Sequence, residues 1–139
     1  DTLFCFILFN MCNKMVTIPG DVYLYRINPN KGISSTSVGN PKVIDSLLVT
    51  LQLLEYAKTL GLPMTAQFYD MFLRQVRMNY SRISTLHNTS IDCHVFAATC
   101  RAKCQYFPNE HTMDLHLLPI EQALDEHDFG KYRVLCRIN

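Results

Sequence analysis

Charge is scarce in this chain. Only 18% of its 139 residues are Asp, Glu, Lys or Arg, against 48% hydrophobic residues, where ordinary soluble chains carry about 25% charged residues. A domain of this length standing alone in water needs more surface charge; a chain that buries surface against neighbours does not. The signs nearly cancel, to a net charge of +1, so no global field gathers nucleic acid or an anionic membrane. No apolar run reaches the length of about twenty residues that a membrane-spanning helix needs, so no membrane insertion is expected. The apolar stretch 2–11 is short and lacks a basic lead-in, which makes it a poor signal peptide. It reads as a buried helix or strand, with helix the better fit. The chain opens on Asp1, as a processed product or a fragment would.

Glycine patterns that cradle phosphates are also missing, both the Walker loop and the dinucleotide fingerprint. Asp128-Phe129-Gly130 copies the kinase metal triplet but has no Gly-rich loop or strand lysine to work with. Cys93 and His94 are neighbours in sequence, which on a helix points them about 100° apart, and no Gly-rich oxyanion turn accompanies them. Glu121, Asp125, Glu126 and Asp128 form an acidic patch that solvation explains. No enzyme and no cofactor are therefore expected.

Six cysteines are present, Cys5, Cys12, Cys93, Cys100, Cys104 and Cys136. Cys93, Cys100 and Cys104 share one face of a single expected helix, where reduced, buried thiols are common. The alternative is a secreted chain with three disulfides and glycans on the sequons at Asn79 and Asn88. Metal is not favoured. The weak candidate is a zinc site from Cys100 and Cys104 with His111 and His116, whose spacing departs from the usual finger pattern.

Apolar periodicity organises the rest. Phe4, Leu8, Met11, Cys12 and Met15 fit a helical stripe, and Ile18-Pro19-Gly20-Asp21 breaks it. Residues 22–27 read as a short strand or a connector, and 28–40 as a long polar loop. Asn40 and Pro41 open a helix, Gly61 and Pro63 stop it, and Thr65 caps the next. Val43, Leu47, Leu51, Leu54 and Lys58 trace one side of the first helix, with Ile44, Leu48 and Leu53 widening its apolar face. Phe68, Met71, Phe72, Gln75 and Val76 give the inner stripe of the second, flanked by Tyr69 and Leu73. Residues 81–90 are a short helix or a loop. A third helix runs from about Ser90 to Tyr106, capped by Asp92, with Val95, Phe96, Thr99, Cys100 and Lys103 along its face. A fourth covers Leu118 to Asp128 and ends at Gly130, and residues 132–138 alternate as a terminal strand or tail. The fold class is all-α, built of antiparallel helical hairpins in the manner of an α-solenoid. It forms a single domain, 1–139, or a fragment of a larger helical-repeat protein. Leu48, Leu51, Leu54, Phe68, Phe72 and Phe96 are the expected hairpin core.

The segment Gly61 to Leu73, GLPMTAQFYDMFL, resembles the junction between pentatricopeptide repeats. Tyr69, Phe72 and Leu73 sit where that family places its aromatic and the apolar pair after it. Leu53-Leu54-Glu55-Tyr56-Ala57 looks like the second helix of a preceding repeat, and Leu3 to Lys14 like its first, with 18–40 as an insertion between them. The resemblance covers roughly half the chain. It implies a helical, RNA-associated protein of an organelle, a mitochondrion above all, in which bases lie on a concave face. Asp70 and Thr65 then fall at base-reading positions; Asp70 read on its own is a solvent-facing polar residue. Stability of such arrays needs about three stacked repeats, so a chain this short suits a scaffold role among other protein subunits and RNA, as in a mitochondrial ribosome. Arg74, Arg77 and Arg82 are the expected contacts with phosphate or an acidic partner, or else a solvated helix face. A lineage-specific or viral interaction protein is a further alternative.

Overall fold

In a computed structural model, residues 2–20 and 39–137 are described. The expected strand at 22–27 and nearly all of the loop at 28–40 lie outside them. Among the described residues six helices form: α1 (Thr2–Met11), α2 (Asp45–Thr59), α3 (Ala66–Ile83), α4 (Thr89–Tyr106), α5 (Leu118–Asp125) and α6 (Phe129–Arg137). Single 3-10 turns at Pro41–Ile44 and Ser84–Leu86 lead into α2 and out of α3, and no strand occurs among the described residues. The chain is all-α, as its periodicity implies.

Local signals place the central hairpin. The Asn40 side chain accepts from the Lys42 backbone N–H at 3.0 Å, and Pro41 occupies the first helical position. At the far end of α2, Gly61 adopts φ 67°. The Leu62 N–H then reaches the Ala57 carbonyl and the Gly61 N–H the Lys58 carbonyl, at 2.9 and 3.0 Å, which is the Schellman arrangement that a left-handed residue permits. Thr65 starts α3 by accepting from the Phe68 N–H at 3.3 Å. The hairpin is antiparallel. Asn79, near the end of α3, donates to the Thr50 hydroxyl at 2.8 Å and the Ser46 carbonyl at 3.2 Å, both near the start of α2.

The seam is turned by about one residue from the expected stripes. On α2 it is Leu47, Thr50, Leu54 and Ala57, with Leu53 beside them; on α3 it is Tyr69, Phe72, Leu73, Val76, Asn79, Tyr80 and Ile83. Leu48, expected in the core, is 53% exposed, because the polar Thr50–Asn79 pair takes the inner face and swings Leu48 outward. Leu51 and Phe68 are partly buried, while Leu54, Phe72 and Phe96 are core residues.

Two aromatic clusters tie the hairpin to the later helices. Phe107, at the end of α4, sits 5.8, 5.1 and 5.3 Å from the rings of Phe68, Tyr69 and Phe72 at the start of α3. At the opposite end Tyr132 of α6 lies 5.1 Å from Tyr80 and 5.0 Å from Phe96, which also meets Phe129 at 5.5 Å. α3 and α4 therefore run antiparallel.

Three expectations are corrected here. Asn88, not Asp92, caps α4, accepting from the Ile91 N–H at 3.2 Å; Asp92 lies one turn in and is buried. α5 ends at Asp125, and its left-handed stop is His127, not Gly130. His127 holds φ 54°, with Asp128 N–H to the Ala123 carbonyl at 2.9 Å and His127 N–H to the Leu124 carbonyl at 3.3 Å. The expected terminal strand is α6, with Gly130 inside it. Asp128 starts that helix by accepting from the Lys131 N–H at 2.9 Å, and Tyr132 and Cys136, one turn apart, are its buried residues.

α1 is a helix but not a buried one. Only Phe6 and Ile7 among its described side chains are partly covered, Phe6 by stacking on Phe68 at 6.0 Å. Phe4, Leu8, Phe9 and Met11 are exposed, as are Met15, Val16 and Ile18 beyond the helix.

Candidate functional site: an arginine-lined hollow

The three expected arginines converge. Arg74, Arg77 and Arg82 stand on α3 with Met78 and Ser81 between them. Together with Leu117, just before α5, and Cys136 of α6, they line one hollow of about 460 Å³. Arg74 donates from Nη2 to Asp114 Oδ2 at 2.8 Å. Asp114 is held in place by its own turn, its Oδ1 accepting from the His116 backbone N–H at 2.9 Å. That N–H and then the Arg74 guanidinium keep its carboxyl below the ordinary value. The floor is uncharged. Cys136 is buried, and burial pushes its thiol up to about 12, against a smaller downward pull from Arg77.

Two further arginines, Arg133 and Arg137 of α6, do not line this hollow but stand close to Tyr80 and Asp92, and the sequence does not single them out. They pull down the pKa of Tyr80, which burial first and Asp92 second raise to about 12. Arg137 also faces the buried Asp92 carboxylate at 3.7 Å. On α6, Arg133 and Arg137 are spaced i and i+4 and share one face of the helix. α6 carries no acidic residue, and α3 only Asp70. An edge of this kind binds oxyanions, carboxylate or phosphate, through guanidinium forks.

The other expected site residues do structural work. Asp70 does not face solvent freely: it is half-buried and accepts from the Thr112 hydroxyl, fastening the 108–117 loop to α3. Thr65 is the cap of α3. The zinc candidates do not come together. Cys100 is buried, 3.8 Å from the Leu124 carbonyl, and burial raises its thiol to about 11. Cys104 is exposed, and His111 faces Glu121 at 3.4 Å. Cys100 and Cys104 instead share a hollow on α4 with His127. Among the described residues no group of three or more His, Cys, Asp or Glu side chains is placed to hold a metal ion.

The acidic patch on α5 is not simply solvated. Glu121 is 3% exposed; its two carboxylate oxygens accept from the Thr112 N–H at 3.3 and 3.4 Å. It faces Tyr69, whose hydroxyl pKa rises chiefly through burial and then through Glu121. Asp125 pairs with Lys103 and Glu126 with Lys131. The hydroxyls of Tyr69, Tyr80 and Tyr132 and the Asp92 Oδ1 are buried and have no partner at hydrogen-bonding distance.

All six thiols are free, and the Asn79 of the first sequon is 1% exposed with its amide engaged in the hairpin seam. Comparison with known proteins finds no match: no family model, no curated protein and no solved structure is similar to this chain.

Proposed function

We propose that this chain is a non-enzymatic, structural subunit of a large organellar ribonucleoprotein such as a mitochondrial ribosome, docked on other protein subunits through α1. The observation that carries the reading is the apolar surface of α1, left uncovered by the described residues. Residues 2–11 contain no charged side chain, and Phe4 and Met11 are 68% and 76% exposed. A helix apolar on all sides belongs inside something larger, and burying each large side chain is worth about 1.5–3 kcal/mol. At about 15 Å long a ten-residue helix is too short to cross a bilayer, and no helix among the described residues is long and apolar enough to do so. With no charge to meet a phosphate, the surface suits the apolar face of a neighbouring helical protein. The resemblance of residues 61–73 to a pentatricopeptide junction supplies the ribonucleoprotein setting, and the arginine edge suits an anionic neighbour.

The test is sedimentation of the tagged chain in native cell extract. The wild type is expected in a large particle. A variant carrying Phe4→Asp, Leu8→Asp and Phe9→Asp is expected near the top of the gradient with its helical circular dichroism intact. A wild-type chain that sediments as a free monomer overturns the reading.

A further inference from the structure

We infer that the arginine-lined hollow beside α3 is a docking site for an acidic segment of a partner protein, and that Asp114 occupies part of it when that segment is absent. This rests on the subunit role proposed above and names what the arginine edge holds.

Arg74 and Arg82 are eight positions apart on α3, a run of about 12 Å along a helix axis. An extended peptide covers that length in about four residues, so the row accommodates more than one carboxylate. The internal contact shows the chemistry that Arg74, one of the lining cations, accepts: a carboxylate 2.8 Å from its guanidinium. The Arg74 side chain remains 63% exposed in the pair, and an exposed ion pair of this kind is weak, so an incoming carboxylate displaces Asp114 at little cost. Between the arginines the lining is Met78 and Leu117 over the Cys136 thiol, which is buried and uncharged at neutral pH. Apolar ground between cations fits a segment that alternates acidic residues with leucine-like ones. Single-stranded RNA asks for something else, an aromatic platform on which bases stack, and no aromatic side chain lines this hollow among the described residues.

The experiment is fluorescence anisotropy at low ionic strength with two probes: a short labelled peptide alternating Glu and Leu, and an oligouridylate of equal charge. The wild type is expected to bind the peptide more tightly than the oligouridylate. Arg82→Glu is expected to weaken peptide binding by about tenfold or more, the effect of reversing one guanidinium contact, with circular dichroism unchanged. Asp114→Asn is expected to tighten it about two- to fivefold, by releasing Arg74 from its internal partner. Tighter binding of the oligouridylate, indifference of the peptide to Arg82→Glu, or weaker peptide binding by Asp114→Asn would each overturn the proposal. A monomeric wild-type chain in the gradient, with this peptide pattern intact, removes the ribonucleoprotein role and leaves the site. An intact particle with the pattern lost removes the site alone.

Discussion

Phe107 is where the stability of this fold is most open to test. It comes directly after the last residue of α4 and in sequence marks only a helix end, yet it is 1% exposed and touches three rings of α3. Its burial contributes about 1.5–3 kcal/mol, and each well-formed aromatic pair adds about 0.5–1.5 kcal/mol. Phe107→Ala also leaves a cavity between α3 and α4, so the loss should be about 3–5 kcal/mol. A domain of this kind has about 5–15 kcal/mol in total, and each kcal/mol moves the melting temperature of a domain this size by about 2–4 °C. A fall of about 6–20 °C is therefore expected, measured by thermal melting monitored in the far ultraviolet. Phe107→Leu keeps most of the volume and should cost about 1.5 kcal/mol or less. A double-mutant cycle with Phe72→Ala should return a coupling of about 0.5 kcal/mol or more, since the rings are in contact. A loss below about 1 kcal/mol for Phe107→Ala, or no coupling to Phe72, would refute the claim that this ring joins the two helices.

The same packing makes other outcomes testable. Leu54→Asp should unfold the hairpin, whereas Leu48→Asp, on the exposed side of α2, should stay within about 1 kcal/mol of wild type; similar melting of the two variants contradicts the seam. Asn79→Leu removes both seam hydrogen bonds, to the Thr50 hydroxyl and the Ser46 carbonyl, and should cost about 1–3 kcal/mol in denaturant unfolding. Mass analysis of chain expressed through a secretory host should find no glycan at Asn79. His127→Gly relieves a left-handed backbone and should raise stability by about 1 kcal/mol; a lower denaturation midpoint would show that the stop of α5 lies elsewhere. The raised thiols of Cys100 and Cys136, about 11 and about 12 against an ordinary 9.0, set an alkaline limit. Both are neutral in the folded chain while the unfolded chain ionises first. Their contribution is therefore complete below about pH 9 and is lost as pH rises through the folded values. A stability curve flat from neutral pH to about pH 12 contradicts their burial.

What the sequence discloses and what it hides divide along the range of the interactions. The α2–α3 hairpin is legible because its stops and starts, Asn40-Pro41, Gly61 and Thr65, act within a few residues of themselves. The face each helix buries is less so. A stripe chosen by hydrophobicity alone passes over Thr50 and Asn79, two polar residues that belong to the core because they bond each other and the Ser46 carbonyl. α6 is hidden by its length: over seven residues, alternation with arginine imitates a strand, and only the burial of Tyr132 and Cys136, one turn apart, shows the helix. Arg133 and Arg137 are hidden with it, while Arg74, Arg77 and Arg82 are legible because they share one long helix. Least visible are Asp92 and Glu121. Asp92 reads as a helix cap and Glu121 as solvated surface, yet both are buried and face residues distant in sequence, Arg137 and Thr112. The same distinction locates the functional surfaces. α1 reads as core by composition, so its exposure says that the residues meant to cover it are not among those described. The arginine edge reads as solvated surface, yet already grips a carboxylate of its own chain. Both surfaces are the ones on which the proposed subunit role rests.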